Sequence, residues 1–374
     1  MNLTRQEALL VWYRAHHRKL PWRADPDGPL APGYAVVVSE LMLQQTRVDT
    51  VRDYFARWLH RWPGWADLAQ ATEEEVLQQW TGLGYYRRAR YLHAAAKAVC
   101  ERHGGKLPSD PEALQALPGL GPYTVGAVRS IVFGQPAALV DGNVTRVLSR
   151  WLALADDPSQ GAGKKAVWSQ AERELEPGLA AHAEPGNWNQ ALMELGATLC
   201  NPKDPQCMLC PVQGQCEAHA QGLQRQIPPV RQRTAVLGVQ ARAVVVLRPR
   251  QDGLGEPTDD LVLLGRRGPT GRWAGLWEPP TVEGDEASET LHKWLGDREI
   301  QHLAELPEVV HLLSHRRYVV GAAVVAERRP GPELDVHKLG YVGSRWMTLA
   351  AALGQTSGLS RLGQRLLEQW LAEK

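Results

Sequence analysis

The chain has almost no net charge. Its 374 residues carry 42 Lys and Arg against 41 Asp and Glu, a formal +1. That balance excludes gripping a polyanion through a global field, and leaves the work to local patches and backbone amides. Long apolar runs are also missing. None approaches the roughly eighteen residues of a spanning helix, and residues 1–10 lack the apolar core of a secretory signal, so no membrane segment and a cytoplasmic location are expected. Cysteine is scarce, with five in all, and the spacing gives no disulfide framework, which fits a reducing compartment. Phenylalanine is nearly absent, with two residues beside 14 tryptophans, and no functional consequence follows from that. The apolar share of 44% is ample for packed cores, and the length suits two domains, or three.

What the chain does have is four cysteines within seventeen residues: Cys200, Cys207, Cys210 and Cys216, separated by six, two and five residues. Four close thiolates form a soft donor set that suits an iron–sulfur cluster or zinc. Zinc knuckles usually pair two short Cys-x-x-Cys grips, and this run has one, Cys207 and Cys210. A helical stretch, 187–199, leads into the run. Asn, Pro, Asp and Gly fill the rest, so a metal would serve as the core of a loop with little apolar material of its own. No ligand position is left for substrate, which makes the expected role structural. Cys100 shares helical spacing with Leu92, Ala96 and Val99 and reads as a buried small hydrophobe.

Residues 1–225 read as helical, without period-2 alternation. The pattern predicts one long helix over 36–59 and shorter ones over 73–80, 87–103, 111–117, 123–133, 144–154 and 164–175, with Gly and Pro in almost every gap. Residues 226–233 (QIPPVRQR) are rich in Pro and Arg and read as a linker. Residues 234–374 read as an α+β module, with strands over 236–247, 260–265, 309–315, 318–327 and 341–347 and helices over 286–295 and 359–372.

Within 112–133, the segment LPGLGPYTVGAV stops one helix at Pro118, turns through Gly119 and Gly121, and starts another at Tyr123. Glycines there allow positive φ and a close approach of phosphate to the backbone. The new helix offers free N–H groups and a positive dipole end. The reading is a helix-hairpin-helix, a sequence-independent grip on a DNA backbone. The alternative is an ordinary corner between helices.

The segments LPWR (20–23), VSELMLQQTRV (38–48), GLGYYRRAR (82–90), the hairpin, DGNV (141–144) and WNQALMELGATLC (188–200) together resemble the MutY-type adenine DNA glycosylases. This is a branch of the superfamily that joins a helix-hairpin-helix to a Gly/Pro-rich loop ending in Asp, followed by an iron–sulfur loop at 200–216. The resemblance spans nearly all of 15–216. It implies a monofunctional enzyme that removes adenine mispaired with 8-oxoguanine or guanine in double-stranded DNA. It also implies one [4Fe-4S] cluster on the four cysteines, a monomer, and association with the bacterial nucleoid while on DNA. The endonuclease III type uses a lysine nucleophile where this chain has Tyr123, and lacks a carboxylate where Glu40 stands. A non-catalytic DNA binder would have no need of Glu40.

Cleaving a purine from deoxyribose requires protonation of the departing base and stabilisation of the positive sugar. Two carboxyl groups in different environments can divide that work. Glu40 sits on an apolar helix face, where desolvation should raise its pKa and keep it protonated as the general acid toward adenine N7. Asp141 reads as a helix N-cap, and the resemblance gives it the sugar-stabilising role, by charge or by a transient covalent bond. The resemblance also makes Tyr123 and Asn143 orienting residues, and Leu20, Trp22, Arg23 and Gln190 the adenine pocket. Gln45, Thr46, Leu83 and Tyr85 would fill or probe the gap left by the flipped base. Arg87, Arg88 and Arg90 form a basic cluster expected to face phosphate.

Residues 234–374 resemble a Nudix-like domain. The stretch 275–296 lacks the Arg-Glu-x-x-Glu-Glu set that holds magnesium, so recognition without pyrophosphate hydrolysis is expected. The family reads 8-oxoguanine with a Ser-His turn, matched here by Ser314 and His315, although Leu313 replaces the preceding aromatic.

Overall fold

A computed structural model describes residues 3–29, 31–229, 236–249, 256–296, 298–313, 315–329, 333–354 and 357–374. The chain packs as two compact units, Met1–Ala71 with Arg87–Gln232 and Thr72–Tyr86 with Arg233–Lys374. Residues 230–235, which hold the second half of the expected linker and the start of the second expected domain, lie outside the described residues.

The first unit is helical among its described residues. It opens with α1 (Arg5–His16), α2 (Gly33–Leu43), α3 (Val48–Arg61) and α4 (Trp65–Gln70). The next helix, α5 (Glu73–Gln79), belongs to the second unit. The first unit resumes with α6 (Arg87–His103), α7 (Pro111–Gln115), α8 (Pro122–Ala127), α9 (Gly142–Trp151), α10 (Gly161–Arg173), α11 (Ala180–Ala183), α12 (Pro185–Thr198) and α13 (Glu217–Ala220). Helix α1 was absent from the sequence reading although its signal is there: Thr4 and Glu7 form a capping box.

The expected single helix over 36–59 is two, α2 and α3. The break falls at 44–47, where Gln45 takes φ +57°. Arg88 fixes that break. Its Nη1 donates to the carbonyl oxygens of Leu41, Met42 and Gln44 at 2.9, 2.8 and 2.6 Å, supplying the orphan acceptors at the end of α2. The hairpin forms between α7 and α8. Gly119 has φ +82°, and an added Cβ would lie 2.6 Å from the Cβ of Tyr91, so only glycine fits. Gly121 differs from expectation. It is the extended N-cap of α8, with φ −81°, and needs no left-handed freedom. Helix α8 runs into a π turn, Val128–Val132, which shortens the expected helix over 123–133.

The core of this unit gathers Leu9 and Tyr13 of α1, Val147, Leu148 and Trp151 of α9, and Trp188, Leu192 and Leu195 of α12, with Cys200, Cys210 and Cys216 packed against its edge. Helices α9 and α12 approach so closely that a Cβ on Gly196 would sit 2.6 Å from that of Asn143. The two helices thereby fix the distance between the head of α9 and the cysteine run that follows α12.

The second unit holds a mixed sheet with strand order β3-β2-β1-β6-β5. Its strands are β1 (Leu237–Arg248), β2 (Leu261–Arg267), β3 (Trp277–Glu278), β4 (Thr281–Glu283), β5 (Ile300–Leu313), β6 (Arg316–Glu327) and β7 (Tyr341–Thr348). Strand β4 pairs with β1 and β7 with β2. Strands β1 and β6 are parallel, in register from Leu237 opposite Arg316 to Leu247 opposite Ala326. Central parallel strands are covered on both faces. Val244 and Val246 pack toward α14 (Ala287–Leu295), whereas Ala243, Val245 and Leu247 pack toward the last helix, α16 (Arg361–Ala372), which follows the short α15 (Leu349–Leu353). The edge strand β5 starts at Ile300, nine residues before its expected start at 309, and its register shifts between Leu306 and Val309, around Pro307. The short strands β3 and β4 carried too few residues to show a period.

Candidate active site and cysteine loop

Helix α2 buries nearly its whole circumference, Tyr34 and Val36 through Met42. Glu40 lies in that stretch at 6% exposure. The Tyr123 hydroxyl, brought in by α8, hydrogen-bonds the Glu40 carboxyl and stands 3.5 Å from the Met193 sulfur of α12. Asp141 ends the loop after the π turn and caps α9. Its Oδ1 accepts from the Val144 N–H at 2.7 Å and its Oδ2 from Asn143 Nδ2 at 3.1 Å. Asn143 Oδ1 accepts in turn from Arg146 Nη2 at 2.9 Å. Glu40, Tyr123, Asp141 and Asn143, far apart in sequence, thus share one region.

Burial pushes the Glu40 carboxyl up to about 7. The Tyr123 hydrogen bond pulls the other way, Asp141 raises it further and the Arg23 charge lowers it. Asp141 is also raised from the usual carboxylate value by burial, but the N–H of Val144 and the side chain of Asn143 hold it down. Burial, with both carboxylates beside it, pushes the Tyr123 phenol well above its usual value. The arrangement offers one carboxyl that keeps its proton near neutrality and a second stabilised as an anion by donors.

Leu20, Trp22 and Gln190 are buried. Trp22 meets Phe55 edge-on at 5.4 Å. Gln190 donates to the Gly186 carbonyl at 3.3 Å. Arg23 pairs with Glu194 of α12 at 2.8 Å. Gln45 is exposed, and Thr46 accepts from Arg88 Nη2 at 3.2 Å. Leu83 is buried, while Tyr85 is 49% exposed with φ +47°; both belong to the second unit. Arg87 is exposed, its guanidinium over the Tyr91 ring. Arg88 departs from the expected phosphate-facing role. It is 6% exposed and holds the end of α2, because three converging carbonyls outcompete solvent for a guanidinium. His315 is exposed beyond β5, and its carbonyl accepts from the Leu237 N–H at 3.1 Å. Ser314 lies outside the described residues.

The cysteine loop follows α12 in two short turns, Cys207–Leu209 and Gln213–Gln215. All four cysteines line one cavity, shared with Leu195, Leu199 and Trp151. Burial and the neighbouring sulfurs push the Cys207, Cys210 and Cys216 thiols up, Cys210 to about 12. Such a set is costly to ionise without a cation among the sulfurs, so the donor chemistry fits a bound metal group. Among the described residues no group of three or more His, Cys, Asp or Glu side chains is placed to hold a metal ion.

Two arginines of α9 that sequence reasoning passed over tie this loop to the core. Arg150 is 2% exposed. It donates to Cys200 Sγ at 3.2 Å and to the carbonyls of Asn201, Pro202 and Ile227 at 2.8, 3.1 and 2.8 Å. Arg146 donates to the Cys200 carbonyl at 2.7 Å as well as to Asn143. Their spacing of four residues put them on one helix face, but nothing in the sequence said which loop they would meet.

Residues 38–173 match the HhH-GPD superfamily base excision DNA repair protein family and residues 255–369 match the NUDIX domain. The fold and these matches define a base excision DNA repair protein of that superfamily. The chain is 37% identical to the human adenine DNA glycosylase over 388 residues, covering 91% of this chain and 69% of the human protein. It is 38% identical to the rat adenine DNA glycosylase over 386 residues, covering 91% and 73%. A solved thermostable thymine-DNA glycosylase is 25% identical with a TM-score of 0.49, covering 58% of this chain and 95% of that one. The chain belongs to the adenine DNA glycosylase family, N-glycosylases of base excision repair. Among its described residues no helix is long and apolar enough to cross a membrane.

Proposed function

We propose that the chain, acting as a monomer, removes adenine paired opposite 8-oxoguanine or guanine in double-stranded DNA. It extrudes the nucleotide, protonates the base and passes through an oxocarbenium-like transition state. The observation that carries this reading is the buried Glu40 carboxyl, with its pKa raised to about 7, bonded to Tyr123 and influenced by Asp141. Glu40 donates its proton to adenine N7. Asp141 supplies the negative charge that steadies the sugar, and Asn143 and Tyr123 orient the two carboxyls. Leu20, Trp22, Arg23 and Gln190 enclose the base. The hairpin turn at Gly119 and Gly121, with Arg87, holds the DNA backbone. Gln45 and Thr46 of the first unit and, separately, Leu83 and Tyr85 of the second are each assigned to DNA contact at the extruded base. The left-handed backbone of Gln45 and Tyr85 supports that assignment, since non-glycine residues in this region concentrate where function compensates for strain.

The test is single-turnover excision from duplexes carrying adenine opposite 8-oxoguanine, guanine or thymine, with borohydride present in parallel. Fast release opposite the first two and no trapped enzyme–DNA adduct are expected. Strong trapping would point instead to an amine nucleophile.

The four cysteines hold one [4Fe-4S] cluster in a structural role. When bound, the cluster supplies the positive charge that lets the four thiols ionise and the loop close around it. The purified protein should be brown and carry about four iron atoms per chain; stoichiometric zinc would overturn the assignment. In the second unit, Ser314 and His315 read the 8-oxoguanine opposite the adenine. Ser314→Ala should reduce the rate ratio between A:8-oxoguanine and A:G several-fold while leaving A:G excision near wild type. An unchanged ratio would remove this turn from recognition.

A further inference from the structure

Glu194 stands one turn beyond Gln190 on α12, and its side chain is fully buried. A buried carboxylate persists only when paired and fully hydrogen-bonded, and this one has two cations. Arg18 approaches through Nε at 2.7 Å and Nη2 at 3.0 Å, with its own backbone N–H at 3.1 Å. Arg23 approaches through Nη1 at 2.8 Å. Burial alone would raise the Glu194 pKa, but the Arg18 hydrogen bonds and the Arg23 charge outweigh it and hold the carboxylate ionised. Arg23, 10% exposed at its side chain, also donates to the Arg18 carbonyl at 3.3 Å and lies over the Tyr13 ring. Its guanidinium is therefore fixed from three sides, and Glu194 is the only anion among the three.

We infer that Glu194 is a positioning residue for excision: it locks Arg23 in the base pocket and balances that charge, so that Glu40 keeps its proton. The inference rests on Glu40 being the general acid. The groups around Glu40 are the Tyr123 hydroxyl from α8, the Asp141 carboxyl at the head of α9, Arg23 from the segment between α1 and α2, and Arg88 from α6, bonded to the carbonyls of Leu41 and Met42 next in the chain. The field of Arg23 is offset by its buried partner, Glu194. With Glu194 neutral, that field acts on Glu40 unopposed and favours its ionised form, since a nearby opposite charge lowers a carboxyl's pKa.

The experiment is the pH dependence of single-turnover adenine excision. In Glu194→Gln the alkaline limb should move to lower pH by about one unit, so the rate loss at pH 8 exceeds that at pH 6 by about fivefold. Glu194→Asp keeps the charge and should keep the limb while lowering the rate. Arg23→Gln should move the limb the opposite way, to higher pH. A loss in Glu194→Gln that is uniform with pH, the limb unmoved, would reduce Glu194 to a packing role and overturn the inference. Should the melting curve show that Glu194→Gln does not fold, Arg23→Gln decides, and an unmoved limb there overturns it equally. A wild-type profile with no alkaline limb would instead overturn the reading of Glu40 itself.

Discussion

Glu40→Gln is expected to bind a mismatched duplex with unchanged affinity and to lose excision by about 10² to 10⁴-fold, the range supplied by a positioned proton donor. The substitution keeps the shape and the contact with Tyr123 but removes the transferable proton. Stability should hold or rise, because a neutral amide is less costly to bury than a carboxyl that ionises. The pH profile gives an independent check. Burial raises Glu40 to about 7, and its active form is the protonated one. The wild-type rate should therefore level off below about pH 7 and fall tenfold per unit above it. Asp141 acts as the anion, and burial raises its carboxyl too despite the hydrogen bonds from Val144 and Asn143, so its protonation sets the acid limb. The two carboxyls influence one another, so the limbs belong to the pair. Gel-shift binding with single-turnover kinetics would separate the effects, and turnover retained in Glu40→Gln would remove the acid from the mechanism.

Much of this was legible in the residues, and what was not has physical causes. Cys200, Cys207, Cys210 and Cys216 stood out because four thiols within seventeen residues make a soft donor set, and they line one cavity. The capping role of Asp141 followed from the residue type before a helix, and the Val144 N–H occupies its Oδ1. The burial of Glu40 followed from its apolar neighbours on α2. The errors share a source. Helical periodicity runs through a short break without registering it, so α2 and α3 read as one helix; the break depends on Arg88, more than forty residues away, capping α2. The same remote contact turned an arginine read as a phosphate ligand into an internal one. Glu194, Arg146 and Arg150 were invisible as site residues because their meaning lies in partners from other helices, and a buried Glu or Arg looks in sequence like any solvated one. The grouping of Thr72–Tyr86 with the second unit was equally hidden, since its helical pattern is continuous in kind with that of the first.

Asp141→Asn should lose about 10² to 10³-fold in excision, the cost typical of removing one electrostatic stabiliser of a transition state, while melting close to wild type. The separation is possible because Asp and Asn are near-equal N-caps. An asparagine oxygen can still accept from the Val144 N–H, so α9 should keep its start. What disappears is the negative charge. The new amide also meets the Asn143 side-chain donor that now binds Oδ2. Asn143 cannot turn freely to receive it, because its Oδ1 is held by Arg146 and its Cβ is close to Gly196. The orienting contact is therefore lost together with the charge. If Asp141 serves only as a cap, Asp141→Asn should excise adenine at near wild-type rate. If the charge acts on the sugar, the variant should bind the duplex, hold its fold and stall before the glycosidic bond breaks. Single-turnover rates measured beside melting curves distinguish these outcomes, because capping and charge stabilisation predict the same stability and opposite kinetics.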